Sequence, residues 1–275
     1  MKNILTITQL TINEALARKN FIMLSLISTF VLLIILGIFA STDVNGLIGS
    51  IKIEGENFNG DMLMQLSHFF RLIIIMPLFA GGLFLSIFSV SSFIPHLLEK
   101  GNIDIFLSKP ISRAQLILGK YLGGIIVVLV NVFYLVVGIW ILTGWKFGDW
   151  NVSFLFTAVS ITYAFSVLYA LIILIGIITQ SSILAMMLSY LIFFVFSPLL
   201  VDRQRIVNFF GGGSLLKTVL EALYYLVPQT ADLGTLTRNI AVNNSVNTFL
   251  PIYVSFIFIV LILSLSIIIF NKKDY

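Results

Sequence analysis

The alternation of apolar and polar stretches along the chain predicts six membrane-spanning helices. Each apolar stretch holds about twenty residues or more. Twenty helical residues, at about 1.5 Å per residue, match a hydrocarbon core about 30 Å thick. The predicted spans are residues 21–40, 69–93, 121–143, 152–178, 183–201 and 250–270.

Two further helices are predicted outside the spans. Residues 1–20 alternate apolar with polar side chains and are too polar to cross a bilayer, so we expect them to lie in the interface plane. Residues 202–249 are the longest polar stretch, and within them apolar residues recur at helical spacing over 215–227. This second helix is expected to lie on the outer leaflet and to end at Pro228.

Composition agrees with a membrane protein. Of 275 residues, 59% are hydrophobic and only 10% are charged, whereas soluble domains are about 25% charged. The mean hydropathy is +1.08. The expected fold is therefore all-α and polytopic. The chain has no cysteine, which excludes disulfides, thiolate metal sites and thiol catalysis.

The distribution of Lys and Arg predicts the orientation. With the N-terminus inside, the inner segments carry nine basic and four acidic residues, about +5, which leaves seven basic and eight acidic residues, about −1, outside. We therefore expect a cell-membrane protein with both termini in the cytoplasm, residues 94–120 as a cytoplasmic segment and 202–249 as an extracytoplasmic one. The basic balance reflects this topology and not nucleic-acid binding.

Chemistry is sparse. With these bounds no span interior holds an ionisable side chain, apart from Arg71 at the outer edge of span 2, which weighs against proton-coupled transport. His68 and His96 are expected on opposite sides of the membrane, and no phosphate-binding loop with a Gly-Lys-Ser/Thr ending is present. No catalytic, cofactor-binding or metal-binding residue is predicted, so an enzyme is not expected.

The segment 94–120 concentrates charge between two long apolar runs. Pro110 interrupts it, and Ser112 is placed to cap a helix that begins at Arg113. Two interpretations stay open on these grounds. The segment is either a solvated basic loop, or a short amphipathic helix offered to a cytoplasmic partner.

The run Glu99-Lys100-Gly101-Asn102-Ile103-Asp104-Ile105-Phe106-Leu107-Ser108-Lys109-Pro110-Ile111-Ser112-Arg113, followed by Gly119-Lys120, resembles the cytoplasmic signature of ABC type-2 permeases. Asn102 and Ile103 stand where that family often has Thr and Leu. The close match covers about a tenth of the chain. The six-span layout, with both ends inside and an N-terminal elbow helix, also resembles the family.

The resemblance implies a permease subunit, expected to export, that couples ATP hydrolysis by a separate cytosolic ATPase to translocation. It implies two ATPase copies, which carry ATP and Mg²⁺, and a second permease copy, either identical or paralogous. The membrane lipid is a further partner. The residues that it places against the ATPase are Glu99, Gly101, Asp104, Phe106, Leu107, Ser108, Lys109, Pro110 and Arg113, with Thr179, Gln180, Ser181 and Ser182 as a second contact.

Two questions remain open from the sequence. Asn131, in the middle of span 3, is interpreted first as an interhelical hydrogen-bonding residue and second as a lining residue of the translocation path. The alternative function is a membrane scaffold that uses ATPase motion to pull on an outer partner through 202–249, without moving a substrate. An intramembrane enzyme is a third class, but no polar groups converge at one depth.

Overall fold

A computed structural model describes residues 2–17, 19–41, 61–98, 111–210, 213–245 and 248–273. Helices account for nearly all of these residues. A 3-10 turn, Val152–Leu155, precedes α6, and a π-helical segment, Ile192–Phe196, joins α7 to α8. The helices are α1 (Lys2–Ala17), α2 (Lys19–Ser41), α3 (Asp61–Val90), α4 (Phe93–Leu97), α5 (Arg113–Phe147), α6 (Phe156–Thr179), α7 (Ser182–Leu191), α8 (Ser197–Val201), α9 (Arg203–Phe209), α10 (Ser214–Leu226), α11 (Thr230–Ala241) and α12 (Leu250–Lys272).

Six helical stretches within the described residues are long and apolar enough to cross a membrane. This confirms the predicted class, an all-α polytopic membrane protein. Several of the helices run beyond the apolar runs, because the flanking polar residues continue the same helical geometry. The stretches are Phe21–Ser41, Met64–Leu97, Arg113–Phe147, Val152–Thr179, Ser182–Val201 and Leu250–Lys272.

The fourth span is the centre of the bundle. In its most apolar 18-residue stretch 78% of the residues are buried, against 11% in the first span and 22% in the last. α6 packs against α3, α5, α7, α11 and α12. A helix that is apolar on every side is expected in such a position. The other spans each keep one face exposed on the surface of the bundle.

α1 and α2 both pack against α5, and both run parallel to it. Gly119 and Gly123 make the first contact close, because an added Cβ at either glycine would lie 2.6 Å from a side-chain carbon of α1. Small residues four apart allow this approach. The expected surface helix at 1–20 therefore has a packing partner that the sequence analysis did not include. The contacts that fix the direction pair Asn3 with Gln115, Thr8 with Gly119, Ser28 with Asn131 and Thr29 with Tyr134.

The segment between the fifth and sixth spans contains more helix than predicted. α10 lies where the periodicity over 215–227 predicted a helix. α11 was not predicted, and it packs on α3 and α6 with Leu233 fully buried. Gly234 faces the ring of Phe79, and the hydroxyls of Thr237 and Ser160 lie 2.6 Å apart.

These contacts define two ends of the bundle. The basic end consists of residues 93–98, 111–120, 176–182 and 270–273, and the N-terminal part of α1 lies beside it. The distal end consists of residues 39–41, 67–71, 147–154 and the helices α9 to α11. By the charge distribution, we expect the basic end to face the cytoplasm.

Candidate functional site

Both flanks of the predicted coupling segment lie at the basic end of the bundle. Its residues Glu99, Gly101, Asp104, Phe106, Leu107, Ser108, Lys109 and Pro110 lie outside the described residues. Both flanks, 94–98 and 111–120, are described. The flanks show where a movement of the segment would enter the bundle.

The flank before the segment is α4, which packs on the end of α6. Ile94 and Leu97 are buried. Gly176 of α6 lies under this helix, so close that an added Cβ would meet Ile94 at 3.4 Å and Pro95 at 3.5 Å. The segment therefore begins from a helix that rests on the central span.

The flank after the segment starts a long helix with a complete cap. Ser112 accepts a hydrogen bond from the backbone N–H of Gln115 (3.2 Å), and the Gln115 side chain accepts one from the Ser112 N–H (3.2 Å). This capping box satisfies two donors at the start of α5. The predicted cap at Ser112 is confirmed.

Arg113, the first residue of α5, is held at the end of the last span. Its guanidinium donates hydrogen bonds to the backbone carbonyls of Phe270 and Lys273, the latter at 2.6 Å, and its carbon lies 5.4 Å from the centroid of the Phe270 ring. A cation at the C-terminus of a helix satisfies carbonyls that have no partner within the helix. Arg113 therefore joins the start of α5 to the end of α12.

Lys273 continues this connection to the central span. Its Nζ donates to the carbonyl of Ile177 (2.7 Å) and lies 3.2 Å from that of Ile178. These carbonyls belong to the last turn of α6, where a cation is again favourable. Two basic side chains thus connect three helix ends, those of α5, α12 and α6.

The proposed second contact is a tight turn next to Lys273. Thr179 donates to the carbonyl of Ile175 (2.8 Å), Gln180 has a left-handed φ of 53°, and Ser181 caps α7 by accepting from the N–H of Leu184 (3.4 Å). Thr179 and Gln180 are exposed, and Ser181 and Ser182 are half-buried. The turn therefore presents polar surface beside the segment's anchors.

A polar cavity of about 600 Å³ lies beside the same flanks. Lys120 and Glu14 form an ion pair within it, with 2.6 Å between Nζ and Oε2. The pair joins α1 to α5 where the two helices run together. His96 and Leu97 of α4 line the opposite wall. The sequence analysis did not pair Glu14 with Lys120, because 106 residues separate them.

Two buried basic side chains lie within the long helices: Arg71, at the predicted outer edge of span 2, and Lys120, just before the predicted start of span 3. Arg71 pairs with Asp149 (3.0 Å) and also donates to the Asp149 carbonyl (2.9 Å). The helices extend past the predicted bounds, and each buried cation pairs with a half-buried acidic side chain from another segment. No group of three or more acidic or histidine side chains suited to a metal occurs in the described part of the chain.

Asn131 makes the interhelical hydrogen bond that was the first interpretation. The Ser28 hydroxyl lies 2.9 Å from Asn131 Oδ1, and Asn131 Nδ2 lies 3.4 Å from Ser25 Oγ. The residue is buried between α2 and α5, and it also lines an apolar cavity. A role in the translocation path stays a prediction.

The fold is that of an integral membrane protein. The ends of α5, α12 and α6, which Arg113 and Lys273 connect, lie next to the flanks of segment 99–110. The family described as ABC-2 family transporter protein matches residues 14–275, and the chain belongs to this family. Members are permease subunits of ABC transporters, generally not catalytic themselves, which usually work with a cytosolic ABC ATPase. A search of curated proteins found no match.

Proposed function

We propose that this permease couples the movement of a separate cytosolic ABC ATPase to export across the cell membrane, with both termini in the cytoplasm. One observation carries the proposal: both flanks of segment 99–110 are fastened to the same end of α6. α4 rests on Gly176, and Arg113 connects through α12 and Lys273 to Ile177. A force on the segment would reach the helix around which the bundle is packed.

In this proposal the segment sits in a cleft on the ATPase. Phe106 and Leu107 supply the apolar anchor, because buried apolar side chains dominate the energy of such contacts. Glu99, Asp104 and Lys109 set register and electrostatic complementarity. Gly101, Ser108 and Pro110 belong to the same proposed contact with the ATPase. Arg113 anchors the segment to the permease, and its engaged guanidinium makes it less suited to contact the ATPase.

The proposed assembly holds two permease copies and two ATPase copies, and ATP and Mg²⁺ bind the ATPase. The exposed turn at Thr179 and Gln180 provides a second contact. Closure of the two ATPase copies would pull both segments, and rigid-body motion of the spans would then switch access between the two sides.

The test is to purify the tagged permease with its ATPase and to measure ATP hydrolysis in lipid nanodiscs. We expect Phe106→Asp with Leu107→Asp to release the ATPase and to abolish the permease-dependent change in its activity. The matched control is Phe209→Asp with Phe210→Asp, the same kind of change at two exposed residues of the distal end. Full complex formation by the first double variant would contradict the proposal.

A scaffold function has one supporting observation. The side chains of Phe209, Phe210 and Leu215 at the distal end are 84%, 70% and 82% exposed. If this surface binds an outer partner that the ATPase pulls, the control double variant would lose that partner while the ATPase complex stays intact. Cargo-stimulated ATP hydrolysis in the purified complex would argue against this alternative.

A further inference from the structure

An apolar cavity of about 290 Å³ lies between the first three of the helical stretches that are long and apolar enough to cross a membrane. Its walls come from α2, α3 and α5, and all but a few of its lining side chains are aliphatic. The polar groups in the wall are Ser28, Ser86 and Asn131. This cavity is separate from the polar cavity at the basic end.

The backbone of α3 makes room for the cavity. Pro77, Gly81 and Gly82 all line it. A Cβ added at Gly81 would have no atom within 4 Å, and one at Gly82 would have only Ile161 at 3.9 Å. The absence of side chains at these two positions therefore leaves a space that no neighbouring helix fills.

The cavity opens toward the surface of the bundle between α2 and α3. Ile27, Ile73 and Pro77 stand at this opening and are exposed. Most of the remaining wall, including Leu78 and Ile139, is buried, and the rest of it is half-buried. A molecule that enters the cavity through this opening is therefore expected to come from the hydrocarbon layer of the membrane.

The side chains that line the cavity determine which kind of molecule it can bind. Apolar cavities of about 150 Å³ stay free of water and take up apolar ligands, and this cavity is about twice that size. The Ser28 hydroxyl donates to Asn131 Oδ1, and the Asn131 amide group donates to Ser25 Oγ, so these polar groups have partners within the protein. A helix, about 10 Å across, is too wide to enter. We propose that the cavity binds one hydrocarbon chain of a membrane lipid.

The proposal is tested by photo-crosslinking in nanodiscs of phosphatidylcholine that carries a diazirine in the middle of one acyl chain. Adducts are located by mass spectrometry of peptides. We expect adducts on α2, α3 and α5 at the lining residues of the wild-type permease. Gly81→Leu fills the cavity without meeting another atom at Cβ, so these adducts should be lost.

Gly37→Leu is the matched control. An added Cβ at Gly37 also meets no atom within 4 Å, but Gly37 lies on an exposed face of α2 away from the cavity. This variant should keep the wild-type adducts. If Gly81→Leu inserts poorly, Gly81→Ala and Gly81→Val give the same test in smaller steps, with adducts falling as the side chain grows.

Equal adduct yields in the wild type and the Gly81 variants would overturn the proposal, as would an equal loss in Gly37→Leu. Adducts that appear only with the ATPase and ATP present would assign the cavity to cargo and overturn the resident lipid. The crosslinking itself needs no ATPase. Failure of this test therefore leaves the proposed coupling function untouched, and the reverse also holds.

Discussion

The two ends of the bundle each hold one buried ion pair, and the pairs differ in their access to water. At the distal end the side chain of Arg71 is fully buried and that of Asp149 is 13% exposed. At the basic end the side chain of Lys120 is 2% exposed, but Glu14 is 29% exposed and borders the large polar cavity. One pair is sealed in the bundle, and the other is open on one side.

The surroundings explain the difference. Arg71 lies 5.6 Å from the centroid of the Phe154 ring, and the neighbouring Phe70 packs edge-to-face with Phe39 and stacks on Phe147. Two of its nitrogens, Nε and Nη1, have no hydrogen-bond acceptor among the described residues. The distal end is thus tightly closed, whereas the basic end keeps polar space next to the coupling segment.

The largest effect is expected from Arg71→Met. The change leaves the Asp149 carboxylate buried without its cation, and breaking such a pair costs about 3–5 kcal/mol of unfolding free energy. The tryptophans Trp140 and Trp150 lie close by and report unfolding by their fluorescence during heating. Arg205→Met is the control, since Arg205 is 85% exposed. Equal melting temperatures for the two variants would show that the distal end is not sealed.

A smaller loss is expected from Gly119→Val at the basic end. The new side chain overlaps Ile7, and overpacking costs about 1–3 kcal/mol. The effect on α1 is measured directly by joining Asn3→Cys and Gln115→Cys with a bifunctional thiol reagent, because the chain has no other cysteine to react. The cross-link should form in the parent chain and fail in the Gly119→Val chain. Unchanged cross-linking would mean that α1 does not need this close contact.

Lys120→Met sharpens the comparison of the two ion pairs. Glu14 loses its cation, but it borders a cavity wide enough for water, so the cost is about 1–2 kcal/mol. The melting temperature should fall less than in Arg71→Met under the same conditions. A fall as large as that of Arg71→Met would show that the basic end is as closed as the distal end.

The smallest effect is a pH dependence at Asp232, beside α10 of the distal segment. Burial raises the pKa of the Asp232 carboxyl, although its acceptance of a hydrogen bond from Tyr224 (2.9 Å) and the charge of Arg203 oppose this. The folded protein therefore binds this proton more tightly than the unfolded chain does. The contribution of this tighter proton binding to the free energy of unfolding is lost as pH rises from about 4 through the raised pKa of Asp232.

Asp232→Asn removes this titration and keeps an oxygen acceptor for Tyr224. Across that pH range the melting temperature of the wild type should fall relative to that of the variant. Parallel curves for the two proteins would show that the carboxyl is hydrated in the folded state.

Hydropathy was enough to predict the spans, because every side of a spanning helix must tolerate lipid or an apolar neighbour. It did not predict α11, whose sequence includes Asp232, Thr235 and Arg238. A weak signal was present, since Leu233, Leu236 and Ile240 have helical spacing. The Gly119 and Gly123 pair was likewise a visible signal for the packing of α1.

The links between distant charges were not predictable. Arg71 and Asp149 are 78 residues apart, and Arg113 and Phe270 are 157 residues apart. A single sequence indicates that each charge needs a partner, but not which one. The coupling residues 99–110 were found by resemblance to a family signature, and their contacts stay a prediction.

The hydrogen bonds of Arg113 can form only late in the biosynthesis of the subunit. The acceptor at Phe270 is translated 157 residues later, which takes about 8–30 s at ordinary elongation rates of about 5–20 residues per second. Until then neither of the carbonyl acceptors of Arg113, at Phe270 and Lys273, is present. The ends of α5, α12 and α6 are therefore joined only after the last span has been made. A nascent chain that lacks this span does not yet have the hydrogen bonds that hold Arg113, next to segment 99–110, against the rest of the bundle.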